Sequence, residues 1–153
     1  MTQYHNPVLL QESIEGLAIR PNGTYVDVTF GGGGHSKRIL ENLNEEGRLL
    51  GFDHDVDTLV NNIDDSRFNF VAANFSHLMQ YLKYHKIIKV DGILADFGVS
   101  SHQFDTQERG FSIRTDARLD MRMNQLQELD AHKVINSYPE DKLRTLFFSY
   151  GEL

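Results

Sequence analysis

Three acids and a run of glycines carry the chemistry open to this chain. The glycines at 31–34 follow an apolar stretch and lead into His35. Glycines let a backbone turn sharply and let a ligand approach its N–H groups, which suits an anion or polar ligand at a helix start. The dinucleotide fingerprint G-x-G-x-x-G needs glycine at 31, 33 and 36, but Ser36 stands at the last of these. The phosphate-binding G-x-x-x-x-G-K-[ST] string is absent. What fits is D-x-x-x-G-x-G, formed by Asp27, Gly31 and Gly33. Asp53 lies 20 residues beyond Gly33. A carboxylate there can accept both hydroxyls of an adenosine ribose. Asp96 is the third acid, at the end of a further apolar stretch.

Other candidates weigh less. Asp53, Asp55 and Asp57 alternate as in a calcium loop, but Thr58 and Asp64 occupy the positions where that loop needs Gly and Glu. Asp55 and Asp57 read instead as a helix cap and its first turn. Phe75 suits either the face of an adenine or the core. Asp96-Phe97-Gly98 spells the kinase magnesium motif, yet no other kinase element accompanies it. The seven histidines form no ligand-spaced cluster, so no metal site is expected. His35, at the helix start, is the one singled out.

The elements that must hold these residues follow a regular beat. Apolar, β-branched stretches at 24–30, 48–53, 67–72 and 90–97 read as strands. Helices are expected between them at 36–43, 56–63 and 77–85, with Asp55 and Ser76 as N-caps. Strand and helix alternating at this spacing predict an α/β fold with a doubly wound parallel sheet. Its ligands belong at the carboxyl ends of the strands. From Gly98 to Met123 the pattern lapses into a long irregular segment with four arginines. Helices are expected again at 131–137 and 140–150.

Composition narrows the class. Leu, Ile, Val and Phe make up 45 of 153 residues, too many for a disordered chain. No apolar run reaches the ~18 residues of a membrane span, and the first residues lack a signal peptide's pattern. Without cysteine there is no disulfide, thiolate metal site or thiol catalysis. A cytoplasmic domain is expected. The net charge of −7 argues against a generic nucleic-acid coat. Residues 1–76 carry −6 of it and residues 77–153 only −1, so a polyanion would meet the second half.

The D-x-x-x-G-x-G string resembles the first motif of class I S-adenosylmethionine-dependent methyltransferases, with Thr29 where many members have another glycine. Longer strings resemble one family within that class, the bacterial small-subunit (16S) ribosomal RNA (cytosine-N4)-methyltransferases. They are His5-x-Pro7-Val8-Leu9-Leu10, Asp27-x-Thr29-Phe30-Gly31-x-Gly33-Gly34-His35-Ser36, and Gly47-Arg48-Leu49 leading to Asp53-x-Asp55. Then come Asp91-Gly92-Ile93-Leu94, Asp96-x-Gly98-Val99-Ser100-Ser101-x-Gln103, Glu108-Arg109-Gly110-Phe111-Ser112, Leu119-Asp120-Met121-Arg122-Met123 and Tyr150-Gly151-Glu152. Phe97 and Phe104 stand where the family commonly has leucine.

The resemblance implies a class I, Rossmann-like methyltransferase fold with S-adenosyl-L-methionine as donor. Carried over by position, Gly33, Gly34, His35, Asp53, Phe75, Asp96 and Gln103 would bind that cofactor. The substrate implied is a cytidine in the decoding region of small-subunit ribosomal RNA, free or in the assembled subunit. Members are about twice this length, so the sequence reads as an N-terminal part that stops after the fourth strand. Residues 1–97 would be the cofactor-binding units, 98–130 an irregular loop region, and 131–153 helices opening an inserted domain. A fourth strand left at the edge would favour pairing with another chain, a homodimer included.

Chemically, the cytosine amine is conjugated with its ring and poorly nucleophilic. An acceptor that holds its N–H groups near the methyl would work by positioning and oriented electrostatics. Asp96 is the catalytic candidate, orienting either the cofactor or the amine. Phe104, Phe111, Arg109, Arg114, Arg118 and Arg122 could contact unstacked RNA; alternatively the arginines pair internally with neighbouring acids. Two other readings stay open. One is an NAD-linked oxidoreductase, which Ser36 opposes. The other is a non-catalytic remnant that binds a nucleoside or a partner through its sheet edge.

Overall fold

Four short strands of apolar and β-branched residues lie parallel in the order β3-β2-β1-β4. They are β1 (Thr24–Asp27), β2 (Arg48–Asp53), β3 (Phe68–Ala72) and β4 (Gly92–Leu94). The computed structural model describes residues 7–151. His5 and Glu152, which belong to two of the family strings, lie outside the described residues.

The register pairs Val26 with Leu50 and with Ile93, and Leu50 with Asn69. Three of the four β1 residues are buried, as expected of a strand covered on both faces. Alternation along the strands sends side chains to two separate cores. Tyr25, Leu49 and Phe68 join Ile39, Leu40 and Leu43 on one face. Val26, Leu50, Phe52 and Val71 join Leu82 on the other. Helix α2 (Gly34–Glu41), with Leu43 just beyond it, and helix α3 (Leu78–Tyr84) supply those partners, which makes the sheet doubly wound. Helix α1 (Leu10–Leu17) packs Ile14 and Leu17 onto the first core.

Some boundaries differ from the sequence reading. Residues 56–61 form a 3-10 helix, not an α-helix. Asp55 caps it as expected, accepting from the Asp57 N–H. Ser76 is not a cap but lies inside a 3-10 turn, Phe75–His77, which leads into α3 and is capped by Asn74 accepting the Ser76 N–H at 2.9 Å. Helix α1 went unread, and residues 90, 91 and 95–97 lie outside β4.

The chain divides into two compact units between Gly98 and Val99. The second contains α4 (Ser101–Asp105), inside the segment expected to be irregular, then α5 (Ala131–Ser137) and α6 (Glu140–Tyr150). Helix α4 is too short to show a period, but Ser100 and Gln103 cap it reciprocally. No described helix is long and apolar enough to cross a membrane.

Candidate cofactor site

The sheet order reverses between β1 and β4, and ligands of such sheets sit outside the carboxyl ends of the strands at that point. The segment leaving β1 is tied to both neighbours there. Asp53, at the end of β2, accepts the Gly31 N–H at 2.8 Å on one carboxylate oxygen. The other oxygen accepts the Asp55 N–H at 2.9 Å. Asn61 donates its amide to the Gly31 carbonyl at 3.0 Å, so that residue is held through both its N–H and its carbonyl. Across the reversal, the Asp96 N–H donates to the Thr29 hydroxyl at 2.7 Å.

Beneath the loop lies Asp27, fully buried. It accepts Ser36 Oγ at 2.7 Å and the Thr29 N–H at 3.1 Å. Burial pushes its carboxyl above the ordinary range, and the bonds from Ser36 and Thr29 oppose that shift. The serine that broke the dinucleotide fingerprint is thus the residue that satisfies the buried acid. A third glycine could not.

Each expected cofactor residue can now be placed. Gly33 precedes α2 with φ of 74°, and Gly34 is the first helical residue. His35 is buried, and its Nε2 has no hydrogen-bond partner among the described residues. Asp53 and Asp96 are joined to the loop as described. The Asp96 carboxylate itself is exposed. Phe75 is 39 % exposed and so is not a core residue; its ring lies 5.5 Å from that of Phe97, tilted by 47°. Gln103 lies in the second unit, buried, with its side chain accepting the Ser100 N–H at 3.0 Å.

Thr29 and Asn61 escaped the sequence reading. Thr29 was noticed only as a replaced glycine, and Asn61 lies 30 residues from its partner with no local pattern to mark it. Thr29→Val should remove the tie between the ends of β1 and β4. One hydrogen bond is worth about 1 kcal/mol, or roughly fivefold. The Asp96 amide should therefore exchange its proton about fivefold faster by NMR, with Thr29→Ser restoring the slow rate. Equal rates in all three proteins would remove Thr29 from this role.

The arginines of the second unit are mostly spent inside it. Arg109 is buried and donates to the carbonyls of Arg122 and Met123 at 2.9 and 3.1 Å. Arg118 pairs with the buried Asp130 at 2.7 Å, and Arg122 grips Asp120 with two nitrogens. Both carboxyls are held below their ordinary range, Asp130 first by the Lys133 N–H and Asp120 first by Arg122. Arg114 lies over an aromatic ring, that of Phe104, at 5.4 Å. Among the described residues no group of three or more His, Asp or Glu could hold a metal ion.

The residues present fit an adenosine-bearing cofactor. Asp53 keeps lone pairs for two hydroxyls after accepting two N–H groups. A Cβ built on Gly31 would meet nothing closer than 3.9 Å, so the loop backbone can be approached. The buried His35 Nε2 also lacks a partner among the described residues.

Comparison with known proteins agrees. The model of the MraW methylase family matches residues 2–153. The "Ribosomal RNA small subunit methyltransferase H" of Christiangramia forsetii is 57 % identical over 153 residues, all of this chain and 51 % of that protein. The protein of the same name from Flavobacterium johnsoniae is 58 % identical over 151 residues, 99 % of this chain and 50 % of its own length. That from Bacteroides thetaiotaomicron is 57 % identical over 150 residues, 98 % of this chain and 49 % of its own. The chain spans about half the length of the curated relatives it matches.

Proposed function

The chain belongs to the MraW methylase family, and from that membership we propose that residues 1–97 carry the S-adenosylmethionine site of a small-subunit rRNA (cytosine-N4)-methyltransferase. The observation that supports this most is the loop at the sheet reversal, tied to Asp53 on one side and Asp96 on the other. The substrate proposed is a cytidine in the decoding region, met in the cytoplasm on free RNA or on the small subunit.

The bound cofactor would supply a methyl group already activated by its sulfonium. The chain's part is to hold and to aim. Asp53 accepts the ribose hydroxyls, while Gly33, Gly34 and His35 line the loop. Phe75 offers an apolar ring face. Asp96 takes the positioning role: its backbone is anchored by Thr29, and its exposed carboxylate makes no hydrogen bond among the described residues. A carboxylate so placed can accept an N–H of the cytosine amine, which localises the nitrogen lone pair and orients it for in-line attack. The target base must first leave its stack to arrive there.

A thermal melt with and without S-adenosylmethionine, and separately with NAD, tests the reading. A ligand that binds only the folded chain adds about 2.7 kcal/mol at one hundred times its dissociation constant. A rise with S-adenosylmethionine and none with NAD is expected. The opposite preference would replace the methyltransferase reading with an oxidoreductase.

A further inference from the structure

An acidic chain has few ways to hold a polyanion, and the arginines of the second unit are largely committed to its own carbonyls and acids. Three of the cations left over fall close together in sequence elsewhere. Residues 66–90 contain no Asp or Glu at all, in a chain with 22 of them among 153 residues. Within that stretch fall Lys83, Lys86 and Lys89, together with His85. All three lysines are exposed, and none pairs with a carboxylate among the described residues.

The surroundings are those of a contact surface. Lys83 and Tyr84 close α3, and His85 caps it. Lys86 follows in a left-handed turn with φ of 56°. Ile88 is fully exposed, and Tyr84 is 79 % exposed with its ring edge-on to His85 at 5.2 Å. The nearest acid beyond the stretch is Asp91, whose carboxylate is already taken by the Thr24 N–H and by Arg20. Those groups hold it below the ordinary carboxyl range, with Lys89 adding to the effect.

We propose that Lys83, Lys86 and Lys89 form a docking surface for the phosphate backbone of the RNA substrate, remote from the methyl-transfer site. The proposal rests on the rRNA reading above. The lysines occupy the turn that feeds β4, so they lie at the amino end of the sheet, whereas Asp96 follows its carboxyl end. From Lys89 to Asp96 the extended chain spans at most about 23–25 Å, a length over which a folded RNA presents many phosphates. The ammonium groups would neutralise phosphates and release counterions, and Tyr84 offers a ring to an unpaired base.

The test is RNA affinity of this chain as a function of salt, with a fluorescent hairpin of the small-subunit decoding region as probe. Three proteins are compared: the parent, K83E/K86E/K89E, and a control with the same charge change at exposed cations, R48E/K142E/R144E. The lysine variant should bind at least tenfold more weakly at low salt. Its log–log salt slope should be shallower by about two, since each phosphate contact contributes roughly 0.7–0.9. Its melt and its S-adenosylmethionine shift should match the parent's. An equal loss in the control, or an unchanged slope in the lysine variant, overturns the surface while leaving the cofactor site standing. A parent that ignores the hairpin but binds phosphatidylserine vesicles overturns it in favour of a lipid partner. Loss of the S-adenosylmethionine shift in the parent instead tells against the function itself.

Discussion

Asp53→Ala is expected to weaken S-adenosylmethionine binding about 100-fold or more, abolishing its effect on the melt. The carboxylate at the end of β2 has two jobs. It already holds the Gly31 and Asp55 N–H groups, and in the proposed site it also accepts the ribose hydroxyls. Hydrogen bonds to a charged group are worth about 1.5–3 kcal/mol each, so losing two to the ligand costs roughly 3–5 kcal/mol. Calorimetric titration of the purified chain reads this directly. Asp53→Asn sharpens the result, because its amide NH₂ would face the donors that the second oxygen now accepts. It should bind only slightly better than the alanine variant. Parent-like affinity in Asp53→Ala would move the ribose away from β2 and sink the proposed site.

Gly33→Ala should cost about 2–5 kcal/mol of stability and lower the melting temperature by roughly 4–20 °C. With φ of 74° the residue sits in the left-handed region, where a Cβ costs roughly 1–2 kcal/mol. That Cβ would also stand 2.9 Å from the Phe30 ring. The ring cannot simply swing aside, since it is buried and packs on Phe68 and Phe70 at 5.3 and 5.1 Å. Forcing it off its rotamer adds a further 1–3 kcal/mol. Gly16 provides the comparison. It lies in α1 with open space around its Cβ position, so Gly16→Ala should be neutral or gain up to about 1 kcal/mol. Similar melts for the two variants would contradict the assigned loop conformation.

The sheet was legible because its two central strands, β1 and β2, are covered on both faces, which forces near-continuous apolar runs ending at chemically distinct residues. Glycines and acids mark the ends of β1, β2 and β4, so the candidate site could be outlined from spacing alone. Helices α5 and α6 were legible for a similar reason: Asp130 caps the first, and Pro139 precedes the second. What escaped depends on partners far away in the chain. Nothing local distinguishes Asn61 from any surface asparagine, and the Thr29–Asp96 bond spans 67 residues. The arginines of the second unit left two readings open for the same reason, and internal pairing is the one the structure shows for three of them. Four cations in an irregular stretch suggest a polyanion until Asp130 and three backbone carbonyls are seen to occupy three of them.

The double hold on Gly31, N–H to Asp53 and carbonyl to Asn61, bears on how fast a ligand arrives. A loop fixed at both ends while the chain folds leaves no ordering step for the encounter. Arrival should then be a single event whose observed rate climbs linearly with ligand concentration, without a plateau. Loop variants that alter affinity should differ mainly in residence time, as is common within a related series of complexes.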